Sequence, residues 1–124
     1  MIIETEMTIE TLKDLVGAGT KHFKKVEVTE YGGIHYFNFD EVIFEECILS
    51  LDFTGSSFRH AKFIHSNIKA SMFDEANLSH SEFIDNSIDA CTFKNAQIDG
   101  IVLLNNTQYS SENTIEDLKE MVGK

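Results

Sequence analysis

At 124 residues, with 42% hydrophobic and 25% charged side chains, the chain fits one compact domain and excludes a multidomain machine. Lys and Arg total 10 against 21 Asp and Glu, and the net charge of −11 repels nucleic acid phosphates and anionic lipid, so direct nucleic acid binding and membrane binding are excluded. Apolar runs fall far short of the roughly 18 residues that cross a bilayer, and the start MIIETEM has no basic leader, so the expectation is a soluble, cytoplasmic protein.

Residues 1–36 read as an N-terminal cap, a short helix plus a strand. Thr8 is a natural helix N-cap, Ile9, Leu12, Leu15 and Val16 form one apolar stripe, and Gly17 is the expected stop. Lys25 to Tyr31 then alternates as a strand does. Gly32-Gly33 either turns it into a hairpin with Ile34 to Phe39, or these residues form an irregular first coil.

From residue 37 a five-residue period takes over. Large apolar side chains fall at Phe53, Phe58, Phe63, Ile68, Phe73, Leu78, Phe83, Ile88, Phe93, Ile98 and Leu103 without a miss. Phe, Leu and Ile make up 31 of the 124 residues, so a run of eleven arises by chance roughly once in a few million frames. Two places before each centre the residue is usually small, as at Ser56, Ala61, Ser66, Ser71, Ala76, Ser81, Cys91 and Ala96, with Leu51, Asn86 and Ile101 as exceptions. Two inward residues in five suit neither a helix nor a strand and demand a turn in every unit. Phe39, Phe44 and Leu49 continue the period upstream, but the step from Leu49 to Phe53 is four, which places an irregularity at Leu49 to Asp52. Residues 111–124 follow as a C-terminal helix, with Asn113 and Glu116 as a capping box and Ile115, Leu118, Met121 and Val122 on one face.

Units such as Ala76-Asn77-Leu78 and Ser66-Asn67-Ile68 resemble the pentapeptide repeat family. The resemblance implies an all-β solenoid, a right-handed quadrilateral β-helix in which each five residues make one side and residues 20 apart stack. Residues 37–110 would form about three and a half coils, flanked by the two short helical ends. Folding at that period aligns Phe53, Phe73 and Phe93, then Phe58, Leu78 and Ile98, then Phe63, Phe83 and Leu103. The flanks are expected to cover the barrel ends, whose open coils would otherwise expose backbone and apolar groups.

Little in the chain points to chemistry. His60 and His80 stack on an outer face with His65 at a nearby corner, but the next residue in their column is Gly100, so they read as solvated histidines, with no metal and no cofactor expected. Ser56, Ser66, Ser71 and Ser81 point inward, where a hydroxyl bonds backbone and meets no substrate. Cys47 and Cys91 sit on different sides of the barrel and read as small buried hydrophobes. No catalytic residue is assigned, and the chain is read as a non-enzyme.

Charge is the remaining signal. The candidate partner-binding surface comprises Glu45, Glu46, Glu82 and Asp85 on one face and Asp52, Asp74 and Glu75 on the opposite one. The reading is a non-catalytic acidic protein-binding module that binds, neutralises or modulates a basic protein, either a toxin in an immunity-like relation or a nucleic acid enzyme. The family resemblance implies an alternative, a DNA mimic that occupies a type II topoisomerase such as gyrase. A structural scaffold without a dedicated ligand is the second alternative. A homodimer through a barrel end or the C-terminal helix is allowed, with Ile115, Leu118, Met121 and Val122 as its seam.

Overall fold

The computed structural model describes residues 1–123. In chain order the elements are β1 (Ile2–Met7), α1 (Ile9–Gly17), β2 (His22–Val28), β3 (Ile43–Glu45), β4 (Lys62–Ile64), β5 (Glu82–Ile84), β6 (Val102–Leu104), β7 (Thr107–Gln108), β8 (Ser111–Glu112) and α2 (Ile115–Val122). Strands β1 to β6 form one sheet in sequence order, every pair parallel. Parallel bridges build three further sides, through Glu27, Ile48, Asn67, Ser87 and Thr107, through Gly33, Asp52, Met72 and Thr92, and through Asn38, Ser57, Asn77 and Gln97. The fold is the four-sided pentapeptide β-solenoid that the repeat requires.

Its corners explain the five-residue step. The backbone takes a positive φ at Glu46, His60, His65, Ala70, Glu75, His80, Asp85, Ala90 and Asn95, each five residues from the next in the continuous run from His60. One left-handed residue per unit turns the chain by a side and brings the next two inward positions back to the core. The irregularity expected at Leu49 to Asp52 is the loss of one such corner. Phe44 pairs with Phe63, 19 residues on, whereas Phe63 pairs with Phe83 and Phe83 with Leu103, each 20 on. Ser50, between the inward Leu49 and Leu51, has no positive-φ neighbour before Phe53, so the stack continues with that side one residue short.

The solenoid is longer than three and a half coils. Six rungs make about five turns, so the stack is about 24 Å long at roughly 4.8 Å per step. The segment read as an N-terminal cap supplies two of those rungs. β2 pairs with β3 and β1 with β2 at a 21-residue offset, so Ile2, Phe23 and Phe44 join the column of Phe63, Phe83 and Leu103. In the first coil α1 replaces the pentapeptide sides, which removes the period by which the sequence could be read. The strand expected at Lys25 to Tyr31 lies at His22–Val28. Of the two readings of Gly32-Gly33, the irregular coil is the one formed. Neither glycine takes the positive φ a tight hairpin needs, and Gly33 bridges in parallel to Asp52.

Both helices are capped, α1 at the expected Thr8 and α2 one residue from the expected place. Thr8 caps α1, its hydroxyl accepting from Thr11 N–H at 3.1 Å. The helix ends at the expected Gly17, and Gly19 beyond it, at φ +102°, lets its own N–H reach Val16 O and Thr20 N–H reach Leu15 O, the paired bonds of a Schellman ending. The capping box of α2 is Thr114 with Asp117, not Asn113 with Glu116, because Asn113 is drawn into the core and gives its backbone N–H to Asn106 O.

Phenylalanine fills the interior. Phe23, Phe44 and Phe63 stack at 5.5 and 5.1 Å between ring centroids, Phe53, Phe73 and Phe93 at 5.3 Å each, and Phe39 on Phe58 at 4.9 Å. Rings one rung apart therefore sit near the strand spacing itself, and neighbouring columns meet edge to face, as Phe53 does with Phe58. At the C-terminal end α2 lies on the same core. Leu118 is fully buried, and Ile115, Met121 and Val122 are half-buried against the cluster. The stripe expected as a seam between copies is thus turned onto its own barrel, because that barrel end offers the nearest apolar surface.

Candidate partner-binding surface

Of the seven candidate carboxylates, Glu45 and its neighbour Glu46 stand one residue off the 20-residue columns, because Glu45 pairs with Ile64, 19 residues on, and four of the seven have basic neighbours. Glu45 meets His22 at 3.0 Å and Lys24 at 3.9 Å, Glu82 meets Lys62 at 3.7 Å, Asp85 meets His65 at 3.5 Å, and Asp52 meets His35 at 2.9 Å. Most of these pairs join adjacent rungs, so they serve the stack before they serve a partner. Glu46, Asp74 and Glu75 have no ion pair among the described residues. Glu46 and Glu75 stand exposed at corners, and Asp74 accepts Lys94 N–H at 3.1 Å.

A further uncompensated pair was missed by the sequence reading. Glu6 and Glu27 are direct partners of β1 and β2, both exposed and neither in an ion pair among the described residues. Like charges held opposite each other across a ladder repel. Only the 21-residue offset of the N-terminal coils reveals the pairing, and no five-residue period announces it.

Two aspartates are engaged structurally. Burial alone would raise the Asp52 carboxyl, but hydrogen bonds from the Thr54 hydroxyl, His35 and the Thr54 backbone, with the His35 charge, hold it below the usual carboxylate range. Burial likewise opposes ionisation of Asp40, yet the Ser57 hydroxyl, the Arg59 backbone and the Arg59 guanidinium at 3.0 Å outweigh it and bring the carboxyl down.

The remaining groups are structural in their contacts. His60 and His80 stack at 5.2 Å with planes 8° apart, as the column rule requires. The His80 ring lies over Gly100, where any Cβ would intersect it. No group of three His, Cys, Asp or Glu among the described residues is arranged to hold a metal ion. Ser56 Oγ donates to Ile34 O at 2.8 Å, Ser71 Oγ to Leu49 O at 3.3 Å and Ser81 Oγ to Leu78 O at 2.7 Å, so the inward hydroxyls are bound to backbone. Cys47 and Cys91 are free and buried, on different sides, and burial pushes their thiols up to about 11 and about 12. A surface hollow of about 520 Å³ is bounded by Glu46, Cys47, Ile48, His65 and Asn67.

Residues 52–85 match the family model for pentapeptide repeats, in eight copies. The chain carries pentapeptide repeats over that span. The matched span is the most regular part of the solenoid, and the repeat geometry continues on both sides of it. Similar solved structures include a trypsin-treated variant of QnrB1, a plasmid-mediated fluoroquinolone resistance protein, at 14% identity, covering 77% of this chain and 70% of that one with a TM-score of 0.37. A pentapeptide repeat protein from the Arabidopsis thaliana thylakoid lumen is 16% identical, covering 65% of this chain and 57% of that one with a TM-score of 0.29. A second trypsin-treated QnrB1 variant is 12% identical, with coverage of 94% and 84% and a TM-score of 0.22. No curated protein matches this chain. No helix among the described residues is long and apolar enough to cross a membrane.

Proposed function

We propose that this chain is a non-catalytic acidic module that binds a basic protein through carboxylates its own fold leaves unneutralised. The observation that carries the reading is the separation of the acids into two groups. Glu45, Asp52, Glu82 and Asp85 are matched by His or Lys within the solenoid, while Glu46, Asp74 and Glu75, with Glu6 over Glu27, are not. Carboxylates fixed on a rigid barrel keep their positions when a partner arrives, so little ordering entropy is lost and a basic surface is steered in by the −11 field.

The test is capture of a partner by the immobilised chain at low and at moderate salt, with two charge-reversal variants as arms. A supporting partner is held at low salt, released by the roughly tenfold increase that shortens the Debye length from about 10 Å to about 3 Å, lost with the double variant Asp74→Lys, Glu75→Lys, and kept with Glu82→Lys. A captured DNA enzyme would make duplex mimicry the mode, and a captured toxin or nuclease would make neutralisation the mode. Retention that ignores both salt and Asp74/Glu75 reversal would sink the proposal, and capture of no partner would leave the scaffold reading.

A further inference from the structure

The six-stranded sheet has two outer edges, and no strand among the described residues pairs with either. β1 pairs only with β2, and β6 only with β5. Elsewhere the C-terminal end is closed: β8 lies along β7, and Asn95 N–H donates to Val122 O of α2 at 2.9 Å. These coverings stop short of β6. Val102 turns its N–H inward to Ser81 O at 2.9 Å, so by the alternation of a parallel ladder Leu103 and Asn105 face outward, and no described residue meets their N–H groups.

The two edges are successive terms of one series. Along the sheet, Glu46 N–H donates to Ile64 O at 2.9 Å, His65 N–H to Ile84 O at 2.9 Å and Asp85 N–H to Leu104 O at 2.8 Å. Each donor is the left-handed corner residue of its rung. Asn105, at φ 57°, is the next donor and has no acceptor among the described residues. At the other end Ile3 occupies the acceptor position, because Ile3, Lys24, Glu45, Ile64, Ile84 and Leu104 form one column, and Glu4, at φ 51°, supplies the matching corner. The side chains agree with the backbone. Met1, Ile3, Val102 and Leu104 are four of the eight exposed large apolar residues, and they lie on these two edges. Leu103 ends the phenylalanine column that Ile2 begins.

We propose that a second copy of this chain docks its β1 edge on β6, parallel and in register, with Ile2 over Leu103 and Ile3 over Leu104, so that Asn105 N–H donates to Ile3 O. An antiparallel pairing of two β6 edges fits less well, since the corner at Asn105 ends each strand after three residues and would face no matching corner. The contact joins two different surfaces and does not close, so it builds open chains of copies rather than a dimer. This goes beyond the partner-binding role and does not rest on it. Salt should act oppositely on the two, screening the repulsion between two −11 molecules and so favouring self-association.

Sedimentation velocity of the full chain, from micromolar to millimolar, tests the proposal, with circular dichroism to check folding of each variant. Wild type should pass beyond the dimer mass as concentration rises, and more so in salt. Ile3→Lys and Leu104→Lys each remove one exposed edge residue and should be monomeric alone. Mixed in equal amounts they should give a one-to-one dimer and nothing larger, because each keeps the edge the other lacks. Amide exchange at Ile3 and Asn105 should slow in concentrated wild type. A wild type that stays monomeric, or an Ile3→Lys variant that still self-associates, overturns the proposal, the latter pointing to β6 against β6.

Discussion

Asn86 occupies a slot that most units fill with Ser, Ala or Cys, and its longer carboxamide does there what a hydroxyl cannot. Oδ1 accepts Ser66 N–H at 2.9 Å, while Nδ2 donates upward to Phe63 O at 2.8 Å and across to Asn106 Oδ1 at 2.9 Å. Asn106 repeats the arrangement one rung on, accepting Asn86 N–H and donating to Phe83 O. Asn86→Ala would strand a buried N–H and a buried carbonyl, so equilibrium unfolding by urea should show a loss of about 2–4 kcal/mol. Asn86→Ser should recover part of that, as Ser66 does in its own slot by accepting Cys47 N–H at 3.0 Å. The corners make the opposite prediction. Ala70 and Ala90 hold φ 62° and 59°, a conformation that costs an L side chain roughly 1–2 kcal/mol and glycine almost nothing. After the extra freedom glycine gains in the unfolded chain, Ala90→Gly should still stabilise by about 0.5 kcal/mol, read as a higher urea midpoint at unchanged slope.

A single rung is held to its neighbours by backbone bonds and also by charged side chains that bridge one step of the stack. Asp40 is the best-built bridge, binding Ser57 and Arg59 from the coil above with a side chain only 17% exposed. Its carboxyl is held below the usual range, so the folded state binds fewer protons there than the unfolded one as acid is added. That contribution is complete above roughly pH 5 and is lost as pH falls through the ordinary carboxylate value near 4 toward the lowered one. Asp40→Asn should therefore cost about 1–2 kcal/mol at neutral pH and flatten the fall in stability between about pH 5 and 3, both measured by thermal unfolding across pH. Bridges of this kind also show what was legible beforehand. The columns Phe53, Phe73, Phe93 and Phe63, Phe83, Leu103, and the His60–His80 stack, followed from the five-residue step because burial and turning dictate it. Where a rung is 19 or 21 residues, or where α1 stands in for pentapeptide sides, the step is broken while the stack is not. Phe23 and Ile2 therefore remained outside the expected barrel, and so did the Glu6–Glu27 pairing. The neutralisation of Glu45 by His22 and Lys24 was hidden for the same reason, since its partners lie in that unread coil.

For the molecule as a whole, charge pulls folding and binding in opposite directions. A net −11 on 124 residues drives the folded state apart, and Glu6 against Glu27 and the Asp74–Glu75 corner add local repulsion that no ion pair among the described residues relieves. Bringing salt from low to near-molar concentration shortens the screening length from about 10 Å to about 3 Å, so the net repulsion weakens more than the few close ion pairs do. Thermal unfolding should move upward, and a gain of about 1 kcal/mol would appear as a rise of roughly 3–6 °C. Glu6→Gln should raise the unfolding temperature at low salt and shrink the increment that salt adds, since it removes one of the two opposed charges. A salt-released partner would then be leaving a chain that the same salt makes more stable, which separates loss of electrostatic recognition from loss of fold. If salt instead lowered the unfolding temperature, the ion pairs between rungs would outweigh the net repulsion, and the unneutralised acids would lose their standing as the strained part of the surface.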